Sequence, residues 1–232
     1  MTGFRPLFVL AGTLVAWAAA PFGAMAADTS LDAVFARIDK AAATFKGLTA
    51  DMKRIHHTEL VNADEVDEGA ITVKKFKPGD IRILIKFDKP EPKVVMIGGG
   101  KAQIYTPKTN DVQEFDVKQH KNLINELLLL GFGASSNDLK SSYTITLGGP
   151  DTVNGTPTTR IELVPKNEEI RHTIKKCELW IPENGVPVQQ KFYETGGDYQ
   201  IATYSHIVLN PNIPDAAVKL DLPKGVKVSK VQ

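Results

Sequence analysis

The chain has 232 residues, 42% of them hydrophobic, and a formal net charge of +1. That length can bury a sizeable core, and near-neutral charge with no run of like charges gives no reason to expect a nucleic-acid or acidic-membrane partner, which needs clustered Lys and Arg. Its single cysteine, Cys177, excludes an intramolecular disulfide and, within "TIKKCELWI", is expected to pack as a small apolar residue of a strand.

At the N-terminus Arg5 precedes an apolar stretch from Leu7 to Ala20, and "AMA" at 24–26 supplies a small-x-small cleavage site. Together these describe a secretory signal peptide; the stretch falls short of the roughly 20 residues that a spanning helix needs. The expected organisation is a cleaved signal over 1–26 and one domain over 27–232. No cysteine follows the apolar stretch directly, so the exported protein is expected to be soluble and not lipidated.

From Thr29 the spacing turns helical. Leu31, Val34, Phe35, Ile38, Ala42 and Phe45 fall on one stripe, with Thr29 and Asp32 as a capping box and Gly47 as the stop. Strands follow. "ITVKKF" (71–76) and "IRILIKF" (81–87) are joined by "KPGD"; in the second, Ile81, Ile83, Ile85 and Phe87 face one way and Arg82, Leu84 and Lys86 the other. "KVVMI" and "AQIYTP" flank the glycines at 98–100, and "VQEFDV" follows. After residue 140 come "SYTITL", "TTRIELVP", "HTIKKCELWI", "VPVQQKFYE" and "YQIATYSHIVL". Turn signals at a spacing of about 8 to 12 residues, without βαβ alternation, predict an antiparallel, hairpin-connected sheet. A sheet of that extent with two or three helices must close or curl around them. The fold class is therefore α+β.

The segment "NELLLLGFGASSNDL" (125–139) is the anomaly. A helix over 119–131 carrying Leu127 to Leu130 is greasy on nearly every side, and a short turn is expected over 135–139. Burying one Leu side chain is worth about 1.5–3 kcal/mol, so four or five left in water would cost on the order of 10 kcal/mol. That rivals a whole domain's stability of about 5–15 kcal/mol. The segment must be covered, either by a plain sheet–helix core or as a lid over an apolar cavity whose contacts an acyl chain can replace. Gly131 and Gly133 bracket Phe132 and would let such a lid hinge.

Catalytic and metal motifs are absent. "GGGK" at 98–101 lacks the phosphate-loop spacing and reads as a turn. His56, His57, His120, His172 and His206 show no chelating spacing, and no G-x-S-x-G elbow occurs. Glu168 and Glu169 lie in a polar turn. No enzyme activity, cofactor or metal is expected.

Taken in order, "GAITVKKFKPGDIRILI", "GGGKAQIYTPKTNDVQEFDV", the leucine-rich segment and "LDLPKGVKV" (220–228) resemble the periplasmic outer-membrane lipoprotein carrier family, the LolA-like proteins. The resemblance runs over nearly all of the chain after the signal. It implies an unclosed antiparallel β-barrel capped by helices around a cavity for lipoprotein acyl chains. It further implies a periplasmic monomer that takes cargo from an inner-membrane exporter and gives it to an outer-membrane acceptor, with no nucleic acid involved. The family's lid-latching arginine corresponds to Lys75, or to Lys77 if the alignment slides; a lysine offers a point charge instead of a planar fork, so the latch should differ. The residues expected to touch acyl chains are Leu127, Leu128, Leu130 and Phe132 on the lid and Ile83, Ile85, Phe87 and Ile104 on the sheet, with Lys75 at the lid or head group. Two rivals are an envelope lipid or lipoprotein sensor on the same fold and a carrier of another, phospholipid-like amphiphile. A hydrolase has no nominated nucleophile, and a purely structural role predicts a filled core.

Overall fold

A computed structural model describes residues 30–77, 79–116 and 132–231. The signal segment, the helix expected over 119–131 with Leu127, Leu128 and Leu130, and the hinge residue Gly131 lie outside the described residues.

The first helix, α1 (Leu31–Thr44), buries Val34, Phe35 and Ile38, one flank of the stripe legible in the sequence. Its N-cap is Ser30, whose hydroxyl accepts from the Ala33 N–H at 3.2 Å, satisfying one of the orphan donors of the first turn. Gly47 is not its stop. The helix ends at Thr44 and Gly47 opens strand β1 (Gly47–Thr58), where a Cβ would stand 2.4 Å from the Val73 carbonyl. That glycine serves close strand approach, which the helix-end rule does not anticipate.

Eleven more strands follow: β2 (Ala63–Lys77), β3 (Asp80–Lys89), β4 (Lys93–Gly98), β5 (Lys101–Thr106), β6 (Asp111–Asp116), β7 (Tyr143–Val153), β8 (Thr156–Pro165), β9 (Ile174–Ile181), β10 (Gln189–Glu194), β11 (Tyr199–Leu209) and β12 (Lys227–Val231). They form one sheet in the order β12-β6-β5-β4-β3-β2-β1-β11-β10-β9-β8-β7, open between β12 and β7. Apart from β6 to β7 and β11 to β12, consecutive strands pair as hairpins across turn residues. At 98–101 Gly98 pairs with Lys101 across Gly99 and Gly100, whose φ of 62° and 81° suit a two-residue reverse turn of the twist that hairpins favour. The pairing is antiparallel throughout except that β12 lies parallel to β6. To reach it, the chain after β11 crosses the outer face of the sheet. Lys74 Nζ ties it there, donating to the Ile213 carbonyl and the Asp215 carboxylate, both at 2.6 Å.

Among the described residues two further short α-helices occur. Helix α2 (Ser136–Ser142) falls where the turn at 135–139 was expected, and Ser135 and Asp138 close a capping box at its start. The polar turn at 168–171 is one helical turn, α3 (Glu168–Arg171), because the Asn167 side chain caps it by accepting from the Glu169 N–H at 2.8 Å.

Helix α1 and Phe132 lie on the inner face of the sheet, and the core there has two parts. One joins Val34, Phe35 and Ile38 of α1 to Ile161, Leu163, Cys177, Leu179 and Ile181 of β8 and β9. The other joins Phe45 and Phe132 to Leu48, Ala50, Met52, Ile71, Val73, Ile83, Phe87, Ala202 and Tyr204. Cys177 is fully buried, as its strand context suggested.

Candidate functional site

The alternation of β1 to β3 builds an apolar wall row by row. Leu48 pairs with Val73 and Val73 with Ile83; one step on, Ala50 pairs with Ile71 and Ile71 with Ile85. All six therefore point to the inner face, because side chains of a strand alternate and paired residues share a side. Val95 and Ile104 extend the second row into β4 and β5. A bulge between Glu68 and Gly69 resets the register so that Gly69 faces Phe87; a Cβ there would lie 1.9 Å from the Lys86 carbonyl, so only glycine permits the approach.

Against this wall lies a cavity of about 240 Å³, close to the lower end of small-molecule sites at roughly 300–1,000 Å³. Its lining runs from Ile83 and Ile85 on β3 through Ile71, Met52, Arg54, Ala202, Tyr204 and Gln200 to Gln190 and Phe192 on β10, with Phe132 above. Strands β3 and β10 are four places apart in the sheet, about 19 Å if it were flat. Sharing one small cavity requires the sheet to curl, which gives the unclosed half-barrel. Phe132 packs edge-on against Tyr204, ring centroids 5.1 Å apart at 73°, and is buried. The chain just after it is pinned: Ser136 donates from its backbone N–H and its hydroxyl to the two carboxylate oxygens of Asp39 on α1, both at 2.7 Å. Gly133, at φ 79°, lies so close to Phe45 that a Cβ would sit 2.6 Å from Cδ1.

The polar part of the wall is compact. Asp67, 2% exposed, accepts from Arg54 Nε at 2.9 Å and also from its Nη2, and Lys93 Nζ stands 3.6 Å from its other oxygen. Both cations lie over the Phe87 ring, at 4.7 Å and 5.2 Å from its centroid. Tyr204 donates to Gln190 Oε1 at 3.2 Å, and burial pushes its phenol pKa far up, so the hydroxyl keeps its proton.

Of the residues singled out from sequence, the fold brings Ile83, Ile85 and Phe132 together in the lining. Phe87 shares their face but lies beneath Arg54 and Lys93, outside the cavity wall. Ile104 is half-buried two strands beyond Ile85 and also outside it. Lys75 is half-buried on that face beside Ile81, and its charge helps lower the Asp138 carboxyl pKa behind the hydrogen bonds from Ser135; the cation thus looks toward the start of α2. Lys77 is exposed and pairs with Asp80. Sequence reading did not nominate Met52, Arg54, Ile71, Gln190, Phe192, Gln200, Ala202 or Tyr204. The period-two run Leu48, Ala50, Met52 was the available signal for β1, and Arg54 continues it with a charge.

These features define a class: an open, mainly antiparallel half-barrel with a helix on its inner face and a largely apolar hollow beside it, beneath Phe132. No family model matches the chain, and no curated protein matches it in sequence. Solved structures do. An uncharacterized conserved protein from Thermus thermophilus superposes with a TM-score of 0.51 at 13% identity, over 86% of this chain and 98% of that one. The Mycobacterium tuberculosis lipoprotein LppX gives 0.46 at 13% identity over 80% and 100%. A LolA superfamily protein from Nitrosomonas europaea gives 0.41 at 12% identity over 82% and 97%. The 0.51 superposition, at 13% identity, shows a likeness of fold. Among the described residues, no helix is long and apolar enough to cross a membrane, and no three His, Cys, Asp or Glu side chains converge as a metal site.

Proposed function

We propose that this chain is an exported, non-enzymatic carrier that shelters the acyl chains of lipoproteins in the hollow of its half-barrel. On this reading it moves them through the periplasm from an inner-membrane exporter to an outer-membrane acceptor. The observation that carries the reading is the cavity between Ile71, Ile83, Ile85, Phe132 and Phe192. Apolar contacts are non-directional, so a hydrocarbon chain can replace side-chain contacts there without chemical matching. The leucine-rich segment that leads into Phe132 acts as an exchangeable cover, and its exchange against cargo explains why four consecutive leucines are kept in an exported chain. Lys75 holds the closed cover through its charge.

The test is uptake of a fluorescent acyl probe by the purified chain lacking residues 1–26. Uptake is expected, and Ile85→Glu or Leu128→Glu in folded protein should abolish it, since a carboxylate in an apolar hollow must stay charged and hydrated or be forced neutral. Unchanged uptake in both variants would remove the hollow and the cover from the account.

A further inference from the structure

The inner wall changes polarity in order along the strands. The rows holding Val73 with Ile83 and Ile71 with Ile85 are apolar; the next holds Phe87 opposite Lys93; the next holds Arg54 opposite Asp67; and the last holds His56 opposite Glu65. One direction along the strands therefore runs from hydrocarbon to cation to water. Two cations share one buried carboxylate, Asp67, which leaves one positive charge in excess beside the hollow. Arg54 directs Nε and Nη2 to Asp67, and its Nη1 has no partner among the described residues while the side chain lines the cavity. The carboxylates of Glu65 and of Glu194, which accepts from Gln200 at 3.2 Å, lie nearer the rim, one register step or more beyond the cations. Cations at the boundary between an apolar wall and water match a molecule with its own charge at that boundary.

We propose that the hollow takes an amphiphile whose anionic group sits directly on its hydrocarbon, a fatty-acid carboxylate or a glycerophosphate. The anion is held by Arg54 and Lys93, and the tail lies against Ile71, Ile83 and Ile85. This rests on the reading of the hollow as an acyl site and changes its cargo, from the uncharged acyl anchor of a lipoprotein to an anionic lipid.

The experiment titrates the chain lacking residues 1–26 with a fluorescent hexadecanoate labelled at its tail end and with the methyl ester of the same probe. It is run at about pH 8, where the carboxylate is ionised. The anion should bind roughly tenfold more tightly than the ester, the scale of one charge-assisted contact. Lys93→Gln, and the charge-balanced pair Arg54→Met with Asp67→Asn, should each bring the anion down toward the ester's affinity; if the double variant does not fold, Lys93→Gln alone decides. Inorganic phosphate should not displace the probe. Equal affinity for anion and ester would match an uncharged acyl anchor and overturn the inference while leaving the acyl-carrier reading intact. Displacement by phosphate would mean an anion site independent of any tail and also overturn it. Failure of both probes to bind would overturn the two together.

Discussion

The two halves of the inner face are made from the same pattern and end differently. Across β8 and β9, Ile161, Leu163, Cys177, Leu179 and Ile181 are covered by Val34, Phe35 and Ile38 of α1 and are buried almost completely. Across β1 to β3, an equally regular set meets, among the described residues, Phe45, Phe132, Val186 and Ala41 near the end of α1, and Ile81 and Ile85 stay half-buried, Ile85 beside a cavity. Alternation decides which side of a strand is apolar; it does not decide what covers that side. A helix linked directly to β1 seals one half, and among the described residues the other half keeps a cavity beneath Phe132. On the proposed reading, the sealed half supplies stability and the hollow half binds cargo.

That division can be broken most sharply by truncation in each half. Ile161→Ala, in the sealed half, should cost about 2–5 kcal/mol in denaturant unfolding while the folded fraction keeps its affinity for an acyl probe. Ile85→Ala, in the hollow half, should cost less than about 2 kcal/mol, because the site is already partly open, but weaken probe binding by roughly tenfold. Equal stability losses, or a binding loss from Ile161→Ala, would mean that the halves share one role.

A smaller effect concerns the strap on the outer face. Lys74→Met removes the hydrogen bonds to Ile213 and Asp215, and should lower stability by about 1 kcal/mol with no change in probe binding. A binding loss there would show that the outer face controls the hollow.

The smallest is a pH effect on the outer face. Burial, with the hydrogen bond to Glu178 at 2.9 Å, pushes the Tyr193 phenol up to about 12. An acid whose folded pKa is raised stabilises the fold fully below its unfolded value, about 10, and that stability is lost as pH rises toward the folded value. Thermal stability should thus fall between about pH 10 and 12, less steeply in Tyr193→Phe than in the native chain. Probe binding should not distinguish the two proteins at neutral pH.

Much of the fold was legible because local chemistry settles it. The GGGK turn, the hairpins after residue 140 and the α1 stripe follow from turn residues and periodicity. What escaped depended on distance in sequence. Gly47 looked like a helix stop because its true constraint, the Val73 carbonyl, belongs to the next strand of the sheet. Strand β1 was not singled out because Asp51, Lys53 and Arg54 break its apolar run, although its inward positions Leu48, Ala50 and Met52 keep the period. The site was half legible for the same reason. Ile83, Ile85 and Phe132 came from pattern, whereas Arg54 and Lys93 matter only because Asp67 and Phe87 bring them together. Phe87 was placed on the correct face, yet what lies above it could not be read from alternation.

The account stands on hydrocarbon entering the hollow beneath Phe132. The direct measurement replaces Phe132→Trp and adds lipids brominated along their acyl chains, comparing the fluorescence quenching of that position with that of Trp180, which packs with Val153 and Val188 away from the cavity. The account predicts strong quenching at position 132, little at Trp180, and loss of the difference in Ile85→Glu. Equal quenching at the two positions, or none at 132, would contradict it.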